Sequence, residues 1–153
     1  MFSFLNRLFS GICSQNSSTK EYFDIKWSDT KPFVPPINSG YVIKVYDGDS
    51  FTIASEMPFI NSQIYRFSVR LSGIDCPEIK GKTVIEKELA INARDALANK
   101  IMKKTITLKN VSLEKYGRIL ADVYCDGIHI NQWMLDNKFA LPYDGGTKTS
   151  EWI

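Results

Sequence analysis

Residues for soft-metal binding and for cross-linking are scarce in this chain. Its 153 residues include three cysteines and a single histidine. Cys13, Cys76 and Cys125 are odd in number and widely spaced, which fits neither a disulfide framework nor the C-x-x-C spacing of a zinc site. The simpler expectation is a reducing, intracellular compartment. An excess of charge of one sign is also lacking. Nineteen Lys and Arg against seventeen Asp and Glu leave a formal charge of +2, too little to establish a nucleic-acid partner from net charge alone. No internal repeat or low-complexity tract is present. What the chain does have is apolar material: 44% hydrophobic residues with 24% charged is enough for one domain with a genuine core and leaves no room for a second.

The first twenty residues stand apart. Phe2, Leu5, Leu8, Phe9 and Ile12 recur at helical spacing, which makes a short amphipathic helix ending near Gly11 one of two readings, behind a loosely ordered extension. The helix is too short to span a bilayer. Arg7 interrupts the apolar part and no A-x-A-like site follows, which argues against a secretory signal. Such a helix suits peripheral membrane contact or a partner, with Cys13 as a lipidation candidate, whereas the structural alternative is a loosely ordered extension. Pro32, Pro35, Pro36 and Asn38-Ser39-Gly40 then mark an irregular lead-in. Residues 1–40 therefore read as an extension and 41–153 as the folded domain.

From Tyr41 the pattern becomes regular. Tyr41–Tyr46 and Ser50–Ser55 are β-rich runs separated by Asp47-Gly48-Asp49. In Ile64–Ser72, Phe67, Val69 and Leu71 alternate with Arg66, Ser68, Arg70 and Ser72. Thr83 can cap a helix, with Glu86 completing a capping box and Ile85, Leu89, Ala93, Leu97 and Ile101 forming its apolar stripe. Thr105–Asn110 and Ile119–Tyr124 are two further strands, and Asn131–Phe139 is a second, shorter helix. Three strands, a helix, two strands and a helix predict an α+β fold: a small five-stranded β-barrel of the oligonucleotide-binding type with packed helices.

Four local signals could carry chemistry, and each has an ordinary structural reading. Asp47-Gly48-Asp49 is a favoured tight-turn sequence, or a rim carboxylate for a metal. Asp75 and Glu78 are solvated loop acids and Arg70 a solvated strand residue, or the three form one wall of an active site. Tyr116-Gly117-Arg118 is a hairpin turn with a surface arginine. Cys76, with no histidine near it in sequence, reads as a small buried filler rather than a nucleophile, and His129 as a helix-start residue.

Taken jointly these positions resemble the staphylococcal (thermonuclease-like) nuclease family. The resemblance runs from about Tyr41 to Ala140 through Asp47–Ser50, Val69–Glu78, the helix with Glu88 and Ala90, Lys115–Ala121 and Ile130–Ala140. It implies a five-stranded barrel and a calcium-dependent phosphodiesterase site acting on DNA, RNA or both. By that resemblance Asp49, Asp75 and the Cys76 backbone carbonyl are calcium ligands. Arg70 and Arg118 bind phosphate, Glu78 is the general base, and Tyr116 lines the nucleotide pocket. Tyr143 falls near a substrate-contacting tyrosine. Ser50 and Cys76 stand where the best-known members have threonine, and the chain departs from them after Ala140.

The implied chemistry is coherent. Phosphodiester hydrolysis needs an activated water and compensation of charge on the phosphorus-bound oxygens. Carboxylates and carbonyls suit calcium, and two guanidinium groups can clamp phosphate with paired hydrogen bonds that lysine cannot reproduce. Glu78 is left to take a proton from water. The alternative is a catalytically silent nucleic-acid or protein binding module on the same fold. A monomer is the expected state.

Overall fold

In the computed structural model, the described residues are 24–146 and Trp152. The candidate helix of residues 1–12, its membrane contact and Cys13 lie outside them. The chain divides into two units at Lys31/Pro32. In the first, the described part holds a short 3-10 turn, Trp27–Asp29, closed by Lys26 N–H donating to Asp29 Oδ2 at 3.0 Å.

The second unit holds the strands β1 (Ser39–Asp47), β2 (Ser50–Glu56), β3 (Ile64–Leu71) and β4 (Ile74–Asp75), then helix α1 (Val84–Ile101). β5 (Thr105–Leu113), β6 (Ile119–Cys125), β7 (Ile128–His129), helix α2 (Ile130–Asp136) and β8 (Leu141–Pro142) follow. Antiparallel pairing runs β3-β2-β1-β5-β6, and a parallel contact between β3 and β6 joins the two ends. The result is the five-stranded closed barrel with two helices that the pattern predicts. β4 and β8 form a separate two-stranded ribbon.

Closing five short strands demands strong coiling, which extra residues in one strand supply. β1 carries two such irregularities against β2, between Val42 and Lys44 and between Val45 and Asp47, so Ile43 and Tyr46 are the bulged residues. β5 carries another between Lys109 and Ser112, where Asn110 adopts φ 51°. The strand continues through it to Leu113, three residues beyond the expected end at Asn110.

The core is the inward row of each strand. Val42, Phe51, Ile53, Val69, Leu71, Ala121 and Val123 have no exposed surface. Ile37 joins this core from the proline-rich lead-in, and Leu108 N–H donates to Asn38 O, so β1 starts at Ser39 rather than Tyr41. The cap of α1 is half as expected: Thr83 Oγ1 accepts from Glu86 N–H at 3.0 Å, but the Glu86 carboxylate accepts from Lys82 N–H rather than Thr83. Its buried face is Ala90, Ala93, Leu97 and Ile101. Ile85 and Leu89, expected in the stripe, are 56% and 37% exposed. The second helix is shorter than Asn131–Phe139 and closes in a turn in which Phe139 N–H donates to Met134 O. Its start is pinned by Asn131, whose amide accepts from Val123 N–H and donates to Ser72 O and Ala121 O at 2.9–3.1 Å. Among the described residues no helix is long and apolar enough to cross a membrane.

Candidate active site

Three strand ends and two loops converge where the barrel closes. Asp49 sits in the two-residue turn between β1 and β2, and its carbonyl accepts from Leu71 N–H at 2.9 Å. Ser50 lies directly across from Arg70, and Arg70 pairs with Leu120 on the closing side. Arg118 therefore enters β6 beside Arg70. The turn that carries it is held by Glu114 N–H donating to Arg118 O and by Gly117 at φ 82°, a conformation glycine adopts without strain.

Arg70 bridges two acids. Its Nη1 lies 2.7 Å from Asp49 Oδ2 and its Nη2 2.9 Å from Asp75 Oδ1. Both carboxylates are buried, at 4% and 2% exposure. Burial pushes the Asp49 carboxyl up, against the opposing pull of the Arg70 guanidinium and the Ser50 hydroxyl. Arg70, and Arg118 beyond the Ser50 hydroxyl, both act on the Asp49 charge. Among the described residues no three His, Cys, Asp or Glu side chains cluster as a metal-binding group, so any cation here would draw on two carboxylates, backbone oxygen and water.

Arg118 is set by a second chain of contacts. Its Nε donates to Glu114 Oε1 at 2.7 Å, and its Nη1 donates to Ser50 Oγ at 3.1 Å. Ser50 Oγ in turn donates to Asp49 Oδ1 at 2.7 Å. The arginine hydrogen bond holds the Glu114 carboxyl below its usual range despite partial burial. Glu114 and the Ser50 hydroxyl are positioning groups to which sequence reasoning gave no role. The four-residue spacing of Glu114 and Arg118 was the available signal, but only the turn geometry makes them meet.

Cys76 is buried beside these acids, and burial pushes its thiol well up. Its Sγ faces the β1–β2 turn, where a Cβ on Gly48 would come within 2.8 Å of it. The side chain is thus a filler, and only its backbone oxygen can serve as a ligand. Pro77 is buried and Glu78 exposed. A cleft of about 490 Å³ is lined by Tyr46, Asp49, Ser50, Arg70, Cys76, Glu78, Lys80 and Arg118, among others. A neighbouring cleft of about 370 Å³ shares Arg70, Glu78 and Arg118 and adds Glu114, Lys115, Tyr116 and Tyr143. Tyr143 is tied there by its N–H to Gly73 O at 3.0 Å. Every sequence-selected residue, Asp49, Arg70, Asp75, Cys76, Glu78, Tyr116, Arg118 and Tyr143, therefore falls in or beside one connected region.

Comparison with known proteins agrees with this architecture. Residues 68–151 match the family described as staphylococcal nuclease homologue, and the chain belongs to that family. It is 28% identical to a probable endonuclease of Schizosaccharomyces pombe over 137 residues, covering 80% of this chain and 58% of the relative. An uncharacterized endonuclease of Escherichia coli is 29% identical over 106 residues, 69% of this chain and 61% of that one. A staphylococcal-like nuclease of Arabidopsis thaliana is 32% identical over 90 residues, 57% of this chain and 26% of the relative. The chain thus spans less than two thirds of the length of each of these relatives.

Proposed function

We propose that the chain is a nuclease that hydrolyses phosphodiester bonds of DNA, RNA or both with calcium as its cofactor. The observation that carries this reading is the convergence of Arg70, Glu78 and Arg118 on the same two clefts, beside the buried Asp49–Arg70–Asp75 bridge. The nuclease names of its relatives support it.

Each residue has a task in this reading. Arg118, braced by Glu114 and Ser50, presents its remaining N–H groups to phosphate oxygens. Arg70 contributes a second guanidinium, giving planar, paired donation to the charge that grows in the transition state. Glu78, exposed to the cleft, takes the proton of the attacking water. Tyr116, 74% exposed, and Tyr143 line the side where a splayed nucleotide would lie. Asp49, Asp75 and the Cys76 carbonyl fit a hard cation, because all three offer oxygen. Bound there, calcium would supply positive charge to the phosphate and would leave ligand positions for water.

The test is incubation of the protein with labelled single- and double-stranded DNA and RNA, in calcium or in excess chelator. Cleavage in calcium, abolished by chelator and strongly reduced in Arg118→Lys, is the expected outcome. Oligonucleotide binding without cleavage under any divalent cation would instead favour the binding-module reading.

A further inference from the structure

The nuclease reading fills the Tyr116 and Tyr143 cleft with a nucleotide and uses the larger cleft at its Asp49 and Cys76 end for the cation, leaving the rest of that cleft without an occupant. That cleft is bordered by Tyr46, which the strand pattern places with care. Tyr46 is the extra residue of the second β1 bulge, between the pairs Val45–Phe51 and Asp47–Ser50. A bulge beside a site re-aims one side chain out of the pleat. The ring is fixed at its far end, where the buried Thr52 donates its hydroxyl hydrogen to Tyr46 Oη at 3.1 Å. Lys44 Nζ lies 4.5 Å from the ring centroid, so a cation covers part of this aromatic. The ring remains 43% exposed. Lys80 lines the same cleft, as do the acids Asp47, Asp49 and Glu78.

We infer that the Tyr46 side of the cleft binds a second nucleotide, across the scissile phosphate from the one held by Tyr116 and Tyr143. The inference rests on the nuclease reading and deepens it. Both clefts share Arg70, Glu78 and Arg118 as a common wall, so a phosphate held there borders both spaces. A volume of about 490 Å³ lies within the roughly 300–1,000 Å³ of pockets that hold small ligands. A half-exposed aromatic ring held at its hydroxyl is a stacking platform for any base, and the arginines of the shared wall hold the adjoining phosphate. The substrate is then a polynucleotide that crosses the site, and bonds inside a strand are the ones cut.

Tyr46→Ala, Tyr46→Phe and the parent are compared for cleavage of a labelled single-stranded DNA in calcium. Their binding to the same DNA and to thymidine monophosphate is measured in chelator by fluorescence anisotropy and competition. Tyr46→Ala is expected to weaken oligonucleotide binding and raise KM by about tenfold, the scale of one lost base stack. kcat and thymidine monophosphate binding should be unchanged, and Tyr46→Phe, which keeps the ring but loses the Thr52 hydrogen bond, should fall between the parent and Tyr46→Ala. If the parent cleaves and Tyr46→Ala has parental KM and affinity, the second-nucleotide site is wrong while the nuclease reading stands. If nothing is cleaved but oligonucleotide affinity still falls in Tyr46→Ala, the nuclease reading fails and the site survives. Equal loss of mononucleotide and oligonucleotide binding would assign Tyr46 to the structure of the shared wall and overturn the inference.

Discussion

A methyl group on Gly48 has nowhere to go. An ideal Cβ there would lie 2.7 Å from Ala93 Cβ, 2.8 Å from Cys76 Sγ and 3.0 Å from Cys76 Cβ. Apolar atoms pack at about 3.5–4.0 Å, so the shortfall is about 1 Å toward α1 and toward the Asp75–Cys76 segment at once. Neither neighbour is a flexible chain end: Ala93 and Cys76 are 1% and 2% exposed. Overpacking of a tight core costs about 1–3 kcal/mol. Taking about 2 kcal/mol, and about 3 °C per kcal/mol for a domain of this size, Gly48→Ala should lower Tm by about 6 °C in a circular-dichroism melt. Because the displaced turn carries Asp49 and pushes on the residue after Asp75, the same variant should bind calcium more weakly in a calorimetric titration. Ala93→Gly alone costs about 1 kcal/mol through helix propensity. Since it opens the nearest contact, the double variant should be less destabilised than the roughly 3 kcal/mol sum. Additive losses, or a Gly48→Ala melt within about 1 °C of the parent, would refute the packing argument.

Asn131→Ala leaves Val123 N–H and the Ser72 carbonyl without the amide, while Ala121 O keeps Ser72 N–H; a loss of about 2–3 kcal/mol is expected by urea denaturation, and a loss under about 1 would show that water replaces the amide. Asp75→Asn should weaken calcium binding and recover partly at high calcium, whereas Glu78→Gln should keep calcium affinity and lose about 10²- to 10⁴-fold in turnover. Calcium rescue of the Gln variant would overturn that division of labour. Because Arg118 holds the Glu114 carboxyl below its ordinary 4.5, the pair stabilises the fold fully above that pH and fades as pH falls through the depressed folded value. The Tm gap between the parent and Glu114→Gln should therefore narrow on acidification below pH 4.5, and a gap that stays constant to pH 3 would exclude the linkage.

Elements whose evidence is local were legible, and those whose evidence is a meeting of distant segments were not. The alternation in Ile64–Ser72 marks β3 because a strand shows its buried side at every second residue. Thr83 marks the start of α1 because a cap is a contact within one turn. The stripe of α1 was misread at Ile85 and Leu89 because large apolar residues catch the eye. Its buried face instead begins at Ala90 and Ala93, and Ala93 is small because the turn at Gly48 comes so close. Ile37 looked like loop for a similar reason: prolines around it signal irregular backbone, which does not prevent a side chain from entering the core. Asn131 gave no signal at all. An asparagine at a helix start is common, and its four-way bonding exists only after β3 and β6 are brought together.

That seam is also why the candidate site exists. β3 and β6 touch in parallel over only three pairs, Val69–Ile119, Arg70–Leu120 and Leu71–Ala121. Inside the seam Val69, Leu71, Ile119 and Ala121 are buried, and their hydrophobic contact holds the barrel shut. Strand alternation then forces Arg70 outward, and it places Arg118, one residue before the seam begins, on the same side. The β1–β2 turn is added by the Asp49–Leu71 backbone bond and the Ser50–Arg70 pairing. Two arginines and a buried acid are therefore neighbours as a by-product of closing the barrel. Weakening the closure, for example with Leu71→Ala, should loosen the cation site and the arginine pair together rather than one at a time.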